Sequence, residues 1–347
     1  MFLVGLRDLQ WRLRRFVIGV VATALVFSLT LILGGITAFF HNETRRTVRS
    51  LDVDAWIVPV GVEGPFTSTQ FMLTSEVAKV AALPGVKNAA PLVLFRQTLH
   101  TPQVHDLNLI GVRPGGLGSP SVTRGRVLRK SGELVLDGSF GKKIGTVLRI
   151  GGQDFRVVGL THGLTYLGGT SVAFMSIADA QKMLFLGQPL ASTIVTRGFP
   201  RSAPPGMRTL TNNAVRADLY RPIGQASDTI RVIDILLWIV AAAIVGAILY
   251  MSSLERIKDF AVMKATGASS GFVLAGLMAQ AVVLSVASAV TAMVLAQVLK
   301  PLVPTAAEIP SASYFALLAT AVIVGILGSV AGLRRALAVD PALAFGG

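Results

Sequence analysis

The sequence predicts a membrane α-helical protein with four transmembrane helices and an α+β extracytoplasmic domain inserted between helices 1 and 2. Three observations carry this reading. Charged residues make up 14% of the 347-residue chain and hydrophobic residues 52%, whereas an ordinary soluble domain is about a quarter charged. The charges crowd into residues 41–229. Four apolar stretches, one before that region and three after it, are each long enough to cross a bilayer.

The first span is expected at 16–40, uncharged between Arg15 and His41. Its 25 residues reach about 37 Å as a helix, enough to cross a hydrocarbon core of about 30 Å with some tilt. The apolar run exceeds a signal-peptide core and no small-residue cleavage site follows promptly, so it reads as an uncleaved anchor. The other spans are expected at 230–253, 271–299 and 309–333. None carries an ionisable side chain mid-span, which argues against proton coupling or an ion channel.

Orientation follows from the flanks. Arg7, Arg12, Arg14 and Arg15 precede the first span, Arg256, Lys258 and Lys264 lie between the second and third, and Arg334 and Arg335 follow the fourth. The positive-inside bias places both termini and the 254–270 connection in the cytoplasm, with the short 300–308 loop outside. Arg45, Arg46 and Arg49 oppose this, but they open a long loop, where the rule has little force. Residues 1–15 form a basic cytoplasmic segment and 334–347 a cytoplasmic tail.

Composition also excludes. The net charge is +14, yet no Lys/Arg block interleaves with aromatics, so nucleic acid is not an expected partner. Residues 41–229 hold 21 Lys/Arg against 12 Asp/Glu, which suits anionic lipid head groups or an anionic partner. There is no cysteine, which removes disulfides, thiolate metal sites and cysteine nucleophiles.

Within the outer domain Leu51–Val60 alternates as a strand, and Thr74 and Ser75 offer caps to a helix from Glu76 that Pro84-Gly85 stops. Val86–Phe95, Glu133–Leu136, Val147–Ile150, Asp154–Val158 and Val172–Met175 read as strands. Gly151-Gly152 and Gly168-Gly169 are turns, and Ile177–Leu186 is a helix. Ile223, Ile230, Ile233 and Leu237 recur at helical spacing before the second span. They fit either a stalk continuing the span outward or an amphipathic collar on the lipid surface.

Several motifs resemble catalytic sites only formally. Gly267-Ala-Ser-Ser-Gly271 fits GxSxG but lacks the strand that a nucleophile elbow needs, so Ser269 or Ser270 is expected to cap the third span. His100, His105 and Asp106 match no established zinc spacing. No nucleotide-cradling Gly-x-x-x-x-Gly-Lys-Ser/Thr occurs, and Gly138-Ser-Phe-Gly-Lys-Lys143 has the wrong spacing. The chain is therefore not expected to be an enzyme, and no catalytic, cofactor or metal residue is assigned.

Two features remain. Gly328 and Gly332 form a GxxxG in the fourth span, which marks a close helix contact in a dimer or bundle unless it merely reflects a chain rich in Ala and Gly. Leu254, Ile257, Phe260 and Lys264 recur at helical spacing in the cytoplasmic connection, ended by Gly267. Such a helix serves as an interfacial connector or presses on a cytoplasmic partner.

That loop resembles the cytoplasmic motif of the FtsX/MacB/DevC-type ABC permeases, Arg-x-x-Glu-Ile-x-x-Leu-(Arg/Lys)-Ala-x-Gly-Ala. Arg256, Asp259, Phe260, Met263, Lys264, Ala265, Gly267 and Ala268 fall on it. Asp259 stands where the family usually has Glu, and Lys264 where it often has Arg, both with charge kept. The basic stretch Arg7–Phe16, the β-rich Gly132–Met175 and Arg335–Ala344 resemble family segments in family order.

The resemblance implies a permease subunit that couples ATP hydrolysis by a separate cytoplasmic ABC ATPase to export or extraction of a substrate at the membrane. Glu255, Arg256, Lys258, Asp259, Phe260, Met263, Lys264 and Gly267 would form the ATPase-coupling loop. ATP and magnesium would sit on the ATPase. The permease would pair as a homodimer or heterodimer amid membrane lipid, with a periplasmic adaptor as a further partner. The alternative within the family is a non-transporting mechanotransmitter that regulates an external partner such as a cell-wall hydrolase.

Overall fold

The computed structural model describes residues 13–100, 104–255, 262–263, 266–267, 269–303 and 307–337. In chain order its elements begin with α1 (Leu13–Ser50), β1 (Ala55–Pro59), β2 (Met72–Leu73), α2 (Glu76–Ala81), β3 (Asn88–His100) and β4 (Val104–Val112). There follow β5 (Arg124–Gly125), β6 (Glu133–Asp137), a 3-10 turn at Gly138–Phe140, β7 (Val147–Ile150), β8 (Gln153–Thr161), β9 (Thr165–Tyr166) and β10 (Thr170–Ser176). The chain continues through α3 (Ile177–Phe185), β11 (Leu190–Ala191), β12 (Thr193–Arg197) and β13 (Met207–Thr211) to α4 (Asn212–Glu255), α5 (Ser270–Leu299), a 3-10 turn at Lys300–Leu302 and α6 (Ser311–Leu337). Four of the helices, α1, α4, α5 and α6, are long and apolar enough to cross a membrane.

The chain divides into two compact units, one of residues Phe40–Gln225 and the other of the remainder. Helices α1 and α4 contribute to both. Each is longer than the span expected from hydropathy: α1 continues to Ser50, and α4 begins at Asn212. Between Asn212 and Glu255 there is no helix break of the kind a flat collar would require. Pro222 lies within α4 and has no N–H to give to the carbonyl of Asp218 one turn earlier.

In the outer unit an eleven-stranded mixed sheet runs in the order β13-β1-β12-β3-β4-β10-β6-β8-β5, with β7 on β8 and β9 on β10. Its central strands are buried on both faces, which is why Leu134-Val-Leu136 and Val172-Ala-Phe-Met175 read as unbroken apolar runs. Leu92, Ile110, Val135, Val172 and Phe174 face one core, where they meet Val48 and Leu51 of α1 and Val215 and Leu219 of α4. Val93, Leu109, Leu134, Ala173 and Met175, one residue out of phase, face a second core under α3. Helix α2 closes a third, smaller cluster with Val77 and Val80.

Local chemistry sets the joints. Gly151 (φ +55°) and Gly152 (φ +80°) make the two-residue turn between β7 and β8, where both central positions need positive φ. Ser176 caps α3 by accepting from Asp179 N at 3.1 Å. At α2 the expected cap is not made: Ser75 sits at the N-cap in helical geometry with no side-chain hydrogen bond, and the helix lasts only six residues. Strand β3 runs on to His100, beyond the expected Phe95, because its antiparallel partner β4 continues the ladder as far as Val104.

Glu133 opens β6 almost fully buried. It accepts both guanidinium nitrogens of Arg126, at 2.6 and 2.8 Å, and the amide of Arg129 at 2.9 Å. The Arg126 bonds, helped by that amide, hold its carboxyl down at about 2 against the cost of burial.

In the membrane unit Ala24, Phe27 and Leu31 of α1 pack with Ala241 of α4, Ala289, Ala292 and Ala296 of α5, and Leu317, Ala321 and Val324 of α6. Small residues let the backbones close in. A Cβ on Gly325 would lie 3.1 Å from Ala281 O on α5, and one on Gly328 would lie 2.9 Å from Ala242 O on α4. Gly328 thus serves a contact between helices of one chain. Gly332 lies in α6 without a described packing environment. Gln297 donates to the Tyr314 hydroxyl, and Glu308 N bonds Gly35 O at 3.0 Å, so the α5–α6 connection rests on α1.

Two outcomes follow. Gly328→Leu should destabilise the detergent-solubilised protein by about 1–3 kcal/mol through overpacking. Gly276→Leu, at a position with no neighbour within 4 Å, should leave the thermal midpoint nearly unchanged. The Glu133 carboxyl lies below its ordinary value when folded, so its contribution is complete above the unfolded value and drains away as pH falls towards about 2. Thermal midpoints measured between pH 5 and pH 2 should fall for the natural protein and fall less steeply for Glu133→Gln.

Candidate functional site

The predicted coupling loop begins where α4 ends. Ser252 and Ser253 are buried in the last turn, with Ser253 Oγ donating to Leu249 O at 2.8 Å, and Glu255 is the final, exposed helical residue. Arg256, Lys258, Asp259, Phe260 and Lys264 lie outside the described residues. Met263 is helical and half-buried, and Thr266 N bonds Val262 O at 2.9 Å. Gly267 then turns the chain with φ +94°, a conformation that glycine adopts without strain. Ser269 Oγ accepts from Phe272 N at 3.3 Å and caps α5, so the GxSxG match is a helix start.

Two members of the His100, His105 and Asp106 group have other partners. Asp106 accepts from Thr98 Oγ1 at 2.7 Å and pairs with Arg96, and these bonds draw its carboxyl below the ordinary carboxylate value. His105 meets the edge of Phe140 at 5.7 Å. The side chain of His100 is outside the described residues.

What the sequence did not reveal is how the outer ends of α1 and α4 are held. Glu43 on α1 is fully buried. Its carboxylate accepts from Thr165 Oγ1 at 3.0 Å, Gly168 N at 2.8 Å and Gly169 N at 2.9 Å. Consecutive positive φ angles at Leu167, Gly168 and Gly169 turn those amides towards one point, an arrangement suited to an anion. One helical turn on, Thr47 Oγ1 donates to Thr165 O at 2.9 Å.

Helix α4 has a matching anchor. Asp218, 1% exposed, accepts from Phe66 N at 2.9 Å and from the Thr67 hydroxyl, and Glu63 of the same loop pairs with Arg221. Six residues earlier Asn212 is clasped by Trp56, whose indole N–H reaches Oδ1 at 2.7 Å, and by Val53 O, which accepts from Nδ2 at 2.8 Å. His41 of α1 stacks on Tyr220 of α4 with centroids 4.3 Å apart. In sequence the only trace of these anchors is a carboxylate in a basic run, Glu43 before Arg45 and Arg46, and a Gly-Gly pair far downstream.

Comparison with known proteins bears on what such a chain does. Its residues 17–206 match the MacB-like periplasmic core domain and residues 231–341 the FtsX-like permease C-terminal domain. Among curated proteins, the "Uncharacterized ABC transporter permease" Rv2563 of Mycobacterium tuberculosis is 41% identical over 348 residues, with both chains covered completely. A second M. tuberculosis protein of that description, Rv0072, is 40% identical over 351 residues, again covering both chains.

The chain belongs to the FtsX/MacB family of ABC transporter permeases. Among solved structures it is similar to the periplasmic region of MacB from Actinobacillus actinomycetemcomitans (TM-score 0.37, 11% identity, 50% of this chain and 96% of that one). It is also similar to the extracellular domain of the YknZ transporter from Gram-positive bacteria (TM-score 0.32, 18% identity, 44% and 84%). An FtsX/MacB permease is a multi-pass inner-membrane protein whose partner is a cytoplasmic ATPase. The MacB-like match runs from α1 through the sheet to just before β13, and the FtsX-like match takes in α4 from residue 231, the loop, α5 and α6.

Glu43→Leu should lower the unfolding free energy by about 2–4 kcal/mol, because three donors lose their acceptor in a water-poor site. Glu43→Gln, which keeps one acceptor oxygen, should lose about half of that. Denaturation of the detergent-solubilised protein checks both, and an unchanged midpoint for the leucine variant contradicts the anchor.

Proposed function

We propose that this permease subunit couples ATP hydrolysis by a separate cytoplasmic ABC ATPase to the export or extraction of a substrate at the membrane. ATP and magnesium sit on the ATPase, and this chain supplies no catalytic group. Both termini and the 254–270 connection face the cytoplasm, in keeping with the basic flanks at Arg12, Arg256 and Arg335.

The observation that carries the reading is the unbroken course of α4. A single helix runs from Asp218, fastened to the 63–67 loop, to Glu255 at the mouth of the coupling loop. Those 38 residues span about 55 Å. A push on Arg256, Lys258, Asp259, Phe260, Met263 or Lys264 would therefore have a path outward along one helix, with a single backbone bond missing at Pro222. Two copies of the permease, identical or related, supply eight spans. The outward row Val232, Ile235, Leu236 and Ile239 of α4 suits lipid or that second copy. A periplasmic adaptor would meet the outer unit.

A second reading has the same anchors deliver force to an external enzyme, such as a cell-wall hydrolase, without moving a substrate. The anchors suit it as well, because they fasten the outer ends of α1 and α4 to the sheet domain whether or not a substrate passes. Uptake or release of labelled lipid by reconstituted vesicles separates the two readings.

Asp259→Ala and Gly267→Val should each abolish stimulation of the partner ATPase while the protein still inserts. The first removes the loop's acidic contact, and the second forces a β-branched residue to φ +94°. ATPase assays on co-purified complexes check this. A permease that co-purifies with no cytoplasmic ATPase refutes the coupling role.

A further inference from the structure

Charge in the outer unit is segregated along the chain. Residues 113–160 carry nine Lys/Arg and three Asp/Glu, whereas residues 50–112 carry three and five. Two of the three acids in the basic segment are engaged. Glu133 is buried under Arg126, and Asp137, fully buried, accepts from Ser139 N, Thr161 Oγ1 and Leu164 N. Of the three, only Asp154 is exposed.

Strand β8 gathers the cations. Phe155 and Val157 point into the core beneath α3, which turns Arg156 outward opposite Val147 of β7. Farther along the same edge of β8, Gly145 N bonds Val157 O at 2.8 Å, Arg126 N bonds Val158 O at 3.0 Å, and Arg124 pairs with Leu160. The turn that bears Lys142, Lys143 and Ile144 therefore lies beside the strand that bears Arg124, with Ile144 Cδ1 2.8 Å from where a Cβ on Gly125 would stand. Among these cations stand three exposed aliphatic side chains, Val127 (41%), Ile144 (45%) and Val147 (50%).

We propose that this end of the sheet is a docking surface for an anionic lipid surface. Phosphate-bearing head groups meet Arg124, Lys143 and Arg156, and Ile144 and Val147 enter the apolar boundary just beneath them. Long cationic side chains around aliphatic ones suit a charged amphiphile, because electrostatic attraction and shallow apolar burial then act together. A sugar polymer would call for an aromatic platform, and the one aromatic residue of β7 and β8, Phe155, is buried. The proposal stands independently of whether the permease transports.

The test uses the full chain in nanodiscs of neutral phosphatidylcholine, mixed with vesicles of phosphatidylcholine alone or with about 30% phosphatidylglycerol. Flotation should carry the nanodiscs only with the anionic vesicles, and about 0.5 M salt should release them. The combined Arg124→Glu, Lys143→Glu and Arg156→Glu variant should reduce tethering about tenfold or more. Ile144→Ser with Val147→Ser should weaken it severalfold at unchanged salt dependence. Should the triple variant fail to fold, Lys142→Glu with Lys143→Glu, confined to an exposed turn, should still lose tethering severalfold. Absent flotation, equal flotation with neutral vesicles, or undiminished flotation of folded charge-reversed protein overturns the proposal. So does capture by soluble polyglutamate without vesicle binding, which would assign the surface to an acidic polypeptide.

Discussion

Glu43 is buried away from water, and the 165–169 segment turns its donors towards that one side chain. A buried ion is tolerated only when its lone pairs are met by good donors. Here the donors include two consecutive glycine amides and a threonine hydroxyl from the 165–169 segment. The arrangement fixes both axial position and rotation of α1, because a slip of one residue would turn the carboxylate away from its amides. Asp218 imposes the same requirement on α4 with the loop at 66–67. Two transmembrane helices thus enter the domain in a defined register, where apolar contacts of Val48, Leu51, Val215 and Leu219 alone would tolerate sliding.

The sheet explains why such anchoring is stable. Both faces of β4, β6 and β10 are buried, since one core meets the helix ends and the other meets α3. A domain with no cysteine has no covalent brace, so cohesion rests on this double burial and on buried polar contacts such as Glu133 with Arg126 and Asp137 with Thr161. The polar contacts are short-range and directional. They specify which loop touches which strand, while the apolar cores provide most of the free energy.

Much of this was legible in the amino-acid order and some was not, for identifiable reasons. Hydropathy announces the spans because a bilayer demands long uncharged runs, and Val147–Ile150 emerges at its true limits because flanking glycines mark both ends. The FtsX/MacB loop signature was readable from Asp259, Gly267 and their neighbours, whose spacing is local. The anchors were not. Glu43 and Thr165 are separated by 122 positions and Thr67 and Asp218 by 151, and no periodic pattern joins residues so far apart. The outward lengths of α1 and α4 were likewise hidden, since their outer turns are amphipathic and carry charge. Ser75 shows the reverse failure: a good capping residue in a good position makes no cap, because so short a helix is held by Val77 and Val80.

Pro222 has a mechanical meaning once its place is noted. The rung that it deletes would have ended on the carbonyl of Asp218, the residue whose side chain is pinned to the 66–67 loop. The weakest turn of a long rod therefore coincides with its clamp. What the backbone gives up at that turn the side chain of Asp218 restores from outside the helix, so the residue that loses a partner along the axis gains two across it.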